Sequence, residues 1–103
     1  MTTITVYVSV GNSDDKLTQE RWAAFQAHIR AVCRSSASQV YGNWTSLPTD
    51  FWQNACFAFA IDPAEADFLK AKLRQAAFEY GQDSIAWAEA RTEFLKPETV
   101  SWS

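Results

Sequence analysis

Gln53-Asn54-Ala55-Cys56-Phe57-Ala58-Phe59-Ala60-Ile61-Asp62-Pro63-Ala64-Glu65 carries two signals in succession. Up to Ile61 the chain alternates, with Ala55, Phe57, Phe59 and Ile61 on one side and Cys56, Ala58 and Ala60 on the other. Successive strand residues point to opposite faces, so this is a strand with one bulky and one small face. A small face suits a closely packed neighbouring layer, which puts the strand at the centre of a sheet. Asp62 then offers an N-cap oxygen, Pro63 suits the first helical position, and Glu65 stands where a capping carboxylate can return the bond.

Downstream, Ala66, Leu69, Leu73, Ala76, Ala77 and Tyr80 recur on one helix face, while Lys70, Lys72, Arg74 and Glu79 fall mostly outside it. Gly81 supplies a left-handed stop. Ile85 and Trp87 alternate within 84–88, which predicts a fourth strand. A turn at Glu89-Ala90-Arg91 and a short final strand over 92–95 follow in this reading. A helix continuing through Ala90 competes with it, because the segment is rich in Ala and Glu; Gly81 and Asp83-Ser84 weigh against that helix. Residues from Pro97 onward read as a tail that Val100 and Trp102 could dock.

Upstream, Ile4, Val6, Val8 and Val10 alternate with Thr5, Tyr7 and Ser9, giving a first strand with an apolar and a wetter side. Gly11-Asn12-Ser13-Asp14-Asp15 reads as a turn. Thr18 caps the next segment, in which Trp22, Phe25, Ile29 and Val32, with Cys33 beside them, recur at helical spacing. Ser35-Ser36-Ala37-Ser38 ends that helix. Residues 39–47 alternate again, Val40, Gly42, Trp44 and Ser46 against Tyr41, Asn43, Thr45 and Leu47, but neither side is cleanly apolar. Such a strand belongs near a sheet edge or an open face.

The order strand, helix, strand, strand, helix, strand defines an α+β fold: a two-layer ferredoxin-like sandwich, βαββαβ, with room for an extra C-terminal strand. The 103 residues suit one domain, 1–103, with 97–103 as the tail. Hydrophobic content of 48% and charged content of 20% support a packed core rather than disorder.

A formal net charge of -3 gives no global attraction for phosphate backbones, so nucleic acid is disfavoured as a partner. Arg30 with Arg34, and Lys70 with Arg74, are i,i+4 pairs that read as solvated helix faces. The amino terminus lacks the basic and apolar regions of a signal peptide, and the longest apolar run, 55–61, is too short to span a bilayer. The expectation is a cytoplasmic protein without membrane association. Cys33 and Cys56 sit in apolar surroundings at no metal-ligand spacing and read as reduced thiols.

No residue pattern names a reaction. His28 is the lone histidine and lies beside the buried stripe of the first helix, a boundary position more than a general base. Asp14 and Asp15 lack the ligand series of a calcium loop, while Asp62 and Glu65 already have capping roles. Glycine-rich phosphate cradles and a nucleophile elbow are absent from the sequence; Ser84 has Gln82 and Asp83 close by, but a covalent mechanism needs a base and an orienting group in three dimensions, and capping or turn hydrogen bonding is the better reading of Ser84. No catalytic residue, cofactor or metal is expected.

The more informative concentration is polar and aromatic: Tyr41, Asn43, Trp44, Trp52 and Asn54, which Gln82, Ser84 and Trp87 join if the last strand returns to that part of the sheet. Phe51 and Gln53 accompany them. Aromatic rings supply contact area and amides or hydroxyls orient a partner, a mixture found in interfaces and ligand pockets. The competing reading is structural, since five tryptophans in a small domain need cover.

Two functions remain open. One is a non-enzymatic protein-binding or regulatory domain, self-associating through an open sheet face as a homodimer or docking another protein. The other is a small enzyme or small-molecule-binding domain with an aromatic-polar pocket. A nucleic-acid binder, or an inhibitor imitating nucleic acid, is weaker, because the best strand carries no basic residue.

Overall fold

The computed structural model describes residues 2–12, 16–47, 49–50 and 52–98. Strand β1 spans Ile4–Gly11, helix α1 Gln19–Ser36, β2 Gln39–Thr45 and β3 Asn54–Ile61. A 3₁₀ turn, Pro63–Glu65, leads into α2, Ala66–Glu79, and β4 covers Ala86–Ala90. The sheet has the order β2-β3-β1-β4 with every neighbouring pair antiparallel. This is a two-layer α+β sandwich of βαββαβ topology, a ferredoxin-like arrangement.

Register decides which face each side chain serves. Val6 pairs with Phe59, Val8 with Phe57 and Val10 with Ala55, so the branched side of β1 and the bulky side of β3 share one face. Against it lie Trp22, Phe25, Ile29 and Cys33 of α1 and Leu69, Leu73 and Ala76 of α2. Val6, Val8, Phe25, Ile29, Phe59, Ile61 and Leu69 are all less than 2% exposed. Burying each such side chain stabilises the fold by about 1.5–3 kcal/mol before entropy is counted.

Local chemistry sets the element ends. Thr18 Oγ1 accepts from the Arg21 N–H at 3.2 Å, which starts α1. Asp62 Oδ1 accepts from the Ala64 N–H at 3.0 Å, so its cap serves the 3₁₀ turn, with α2 beginning one turn later than the sequence suggests. Gly81 has φ 62, the left-handed conformation that glycine adopts without a Cβ penalty. Just before it, Tyr80 ties the two helices together: its ring is 4.9 Å from Phe25 and 5.9 Å from His28 between centroids, with the Arg21 guanidinium 4.7 Å above it.

One buried amide organises the loop end of the sandwich. Asn12 Nδ2 donates to the Leu17 carbonyl at 3.0 Å and to Gln53 Oε1 at 2.8 Å, while its Oδ1 accepts from the Leu17 N–H at 3.0 Å. Gln53 in turn exchanges two hydrogen bonds with Gln19. The start of α1 is thereby fixed to the entry of β3.

Three expectations need correction. Residues 39–47 do not keep one alternation, because the β2–β3 register shifts between Val40 and Gly42. Tyr41 is the extra residue, so Val40 faces the helices opposite Phe59 while Gly42 and Trp44 face away. The expected turn at 89–91 is absent up to Ala90, since β4 pairs with β1 from Ala86 to Ala90.

The extra C-terminal strand over 92–95 does not form; residues 91–98 have no regular structure. A fifth strand would need a reversal against the free edge of β4. Instead the Thr92 hydroxyl bonds that of Thr5, holding the chain beside β1 as it leaves the sheet. The turn over 13–15, Phe51 and the docking of Val100 and Trp102 lie outside the described residues.

Candidate functional site

With both helices on one face, the other face of the sheet has no helical cover. Its rows follow from the pairings: Trp44 with Cys56, then Ser9 and Ala86; Gly42 with Ala58, then Tyr7 and Ala88; Gln39 with Ala60, then Thr5 and Ala90. Asn54 and Gly11 extend it at one end. Every one of these paired positions is uncharged. Most are also small, so Trp44, 55% exposed, and Tyr7, 40% exposed, stand up from a floor of Ala, Ser, Thr, Cys and Gly.

The floor is asymmetric. Ala86, Ala88 and Ala90 make the β4 side flat, whereas the β2 side carries the Trp44 indole. Trp44 lies over Gly42: a Cβ at residue 42 would sit 3.5 Å from Cζ2 of the indole. Glycine at this bulge has φ 154, a backbone conformation that L side chains rarely adopt, while the space beneath the ring would admit a methyl.

Two thiols sit on different sides of the β3 backbone. Cys56 is half-buried in the open face, between Ser9 and Trp44. Cys33 belongs to the core, and burial pushes its thiol from 9.0 up to about 12, so it stays protonated and unreactive near neutrality. Both are free. Among the described residues no group of three His, Cys, Asp or Glu side chains could hold a metal ion.

The eight polar and aromatic candidates do not meet in one place. Tyr41, Asn43 and Trp44 lie on β2, and Gln82, Ser84 and Trp87 lie on or before β4, at opposite edges with two strands between them. Three interstrand spacings separate these edges by roughly 14 Å. Faces divide them further. Trp44 is on the open face, Asn43 is opposite Phe57 on the helix side, and exposed Tyr41 occupies the bulge. Trp52 is 54% exposed in the β2–β3 connection, and Asn54 at the start of β3 takes a hydrogen bond from Ser46 N–H and donates to the Trp52 carbonyl.

Gln82, Ser84 and Trp87 instead line a groove of about 570 Å³ between α2 and the approach to β4. Leu73, Ala77 and Ile85 contribute apolar walls; Lys70 and Arg74 stand along the α2 side. Lys70 Nζ is 5.1 Å over the Trp87 ring and 4.0 Å from Glu89, whose carboxylate also accepts the Trp87 indole N–H at 3.2 Å. The sequence reading did not single out the alanines of β4 or Tyr7 as a surface. Their common phase, Ala86, Ala88 and Ala90 together with Thr5, Tyr7 and Ser9, was the available signal, but only strand order makes them neighbours.

No protein-family model matches the chain, and no curated protein sequence does so significantly. Among solved structures, the chain is similar to a DUF3240 family protein from Shewanella baltica OS155 at a TM-score of 0.51 and 14% identity, covering 98% of this chain and 100% of that one. It is likewise similar to the C-terminal domain of the MgtC protein from Mycobacterium tuberculosis, at 0.51 and 15%, over 85% and 86% of the two chains. The hydroxynitrile lyase from Passiflora edulis gives 0.51 and 15%, over 91% and 97%. At these identities the likeness is one of fold alone, and the fold hosts unrelated activities. No helix among the described residues is long and apolar enough to cross a membrane.

Proposed function

We propose that this chain is a non-enzymatic protein-binding domain that self-associates through its open sheet face. The observation that carries the reading is the uninterrupted absence of charge across the paired positions of that face, with Trp44 and Tyr7 exposed upon it. Solvent-facing sheet surfaces ordinarily alternate toward polar and charged residues, and a contiguous uncharged patch holding exposed aromatics marks an interaction surface.

A second copy is the partner this shape suits. A twofold interface must be complementary to itself. Here the raised β2 side and the flat alanine side of β4 supply both halves on one chain, so antiparallel stacking of two sheets seats each Trp44 on the partner's alanine strip. Pairing sheets this way buries both faces at the roughly 10 Å spacing of a sandwich core. A cytoplasmic setting, where thiols remain reduced, fits the two free cysteines.

Sedimentation equilibrium of the parent and of Trp44→Ser tests the reading. The expected outcome is a dimer for the parent and a dissociation constant raised by about tenfold or more for the variant, the loss typical of a buried aromatic anchor. Equal masses for the two proteins at all concentrations, with the fold intact by circular dichroism, would overturn it.

A further inference from the structure

Residues 91–98 leave the sheet without regular structure, and every one of them is exposed. Within this segment Phe94 is 79% and Leu95 84% exposed, the largest exposures among the bulky apolar residues apart from Phe78 at 81%. Adjacent bulky apolar residues on an otherwise polar, irregular segment lose hydrophobic free energy unless something covers them. The groove between α2 and β4 has the opposite deficiency: Ala77, Ile85 and Trp87 are only half-buried along it above the core residue Leu73, and exposed Phe78 lies beside them.

Their own chain does not bring the two together. Trp87 lies three residues back along β4 from Ala90, so Phe94 could reach it only by an abrupt reversal. No glycine or asparagine lies between Ala90 and Phe94 to turn the chain, and the Thr92–Thr5 hydroxyl bond directs it onward past β1. Extended, residues 91–98 reach roughly 26 Å from the sheet, far enough to cross onto a neighbouring molecule.

We infer that residues 91–98 form an exchanged arm that seats Phe94 and Leu95 in the α2–β4 groove of a second copy of this chain. Charge favours this occupant. Glu93 and Lys96 flank the apolar pair on the arm, and the groove presents Lys70 and Arg74 along α2 with Asp83 on the approach to β4, so each charged flank of the pair has an opposite charge to meet. Asp83 meets Lys16 at 3.0 Å and Lys70 meets Glu89 at 4.0 Å, solvent-accessible pairs that contribute little to stability and that an arriving arm can exchange. Two arms exchanged about a twofold axis close the assembly with no unsatisfied copy, whereas a one-way contact would propagate. The inference rests on self-association and adds a second contact to the sheet-face interface.

Disulfide trapping between separately labelled copies tests it. Leu95→Cys and Ser84→Cys are made on separate chains, each also carrying Cys56→Ser; both positions are exposed, and Ser84→Cys is nearly isosteric. Cys33 is buried and does not compete. The two proteins are mixed, oxidised gently and analysed by intact mass, with the solution mass measured in parallel. The expected result is a mixed Leu95→Cys/Ser84→Cys covalent dimer in clear excess over like-with-like products. A dimer in solution without the mixed disulfide overturns the arm and leaves the sheet-face reading standing; a monomer at every concentration overturns both. The double variant Phe94→Ser, Leu95→Ser gives an independent reading: its dimer dissociation constant should rise by about tenfold or more, and an unchanged constant would refute the exchange.

Discussion

The Trp44 indole lies over Gly42, with room for one methyl between them: an added Cβ would meet the ring at an ordinary contact distance of 3.5 Å. That arrangement places a large, 55% exposed aromatic on the open sheet face. It depends on the β-bulge at Tyr41, which turns Gly42 and Trp44 away from the helices. Edge geometry and surface chemistry are therefore one feature: the extra residue that interrupts β2 also raises the aromatic that the proposed interface uses.

Gly42→Ala should destabilise the domain by about 1–3 kcal/mol, the cost of holding an L residue in a sparsely populated backbone region. The φ of 154 carries this penalty, because the space for the methyl is ordinary van der Waals contact. Urea denaturation checks it. Gly81→Ala, at φ 62 with nothing near the added atom, should cost about 1–2 kcal/mol through the left-handed conformation alone.

Cys33 sets a pH dependence. Burial raises its thiol from 9.0 to about 12, so above pH 9 the unfolded chain releases a proton that the folded chain retains. The stability contribution is fully present below pH 9 and is lost as pH rises toward 12, at up to ~1.4 kcal/mol per pH unit. Denaturant midpoints for the parent and Cys33→Ala over that range should converge as pH increases. Parallel pH profiles would show that this thiol is not the source.

Cys56 reports on the open face. Under native conditions near pH 8, a thiol reagent should modify Cys56 and leave Cys33 untouched. Its rate should fall as protein concentration rises, because association covers the row Trp44, Cys56, Ser9 and Ala86. Dilution should restore the rate, and a concentration-independent rate would place Cys56 outside any interface.

Asn12→Ala removes three side-chain hydrogen bonds from a residue that is 1% exposed and leaves the Leu17 N–H and carbonyl without that partner. The expected loss is about 2–4 kcal/mol, since orphaned buried groups cost their desolvation. Thermal unfolding measures it. A loss within 0.5 kcal/mol of zero, the range of an ordinary surface change, would contradict the structural role of this amide.

The central strand and both helices were legible because their periodicity and caps agree: Phe57, Phe59 and Ile61 alternate cleanly, Thr18 caps α1, and Gly81 stops the chain after α2. The bulge at Tyr41 was not, since one added residue leaves composition unchanged while inverting every later side chain of β2. The polar-aromatic residues looked like one cluster because sequence reveals alternation but not strand order. Once β3 and β1 lie between β2 and β4, Trp44 and Trp87 belong to separate edges and opposite faces. The final strand failed for a related reason: 92–95 has strand-compatible residues but no turn chemistry to reverse it onto β4.

The most direct measurement is light scattering across a concentration series for the parent and for Ala88→Glu, which places one charge on an exposed position opposite Tyr7 in the open face. Self-association through that face predicts a parent of twice the chain mass of 11.6 kDa and a variant that remains folded but monomeric over the same range. A parent that stays monomeric throughout, or a variant as dimeric as the parent, would contradict the account.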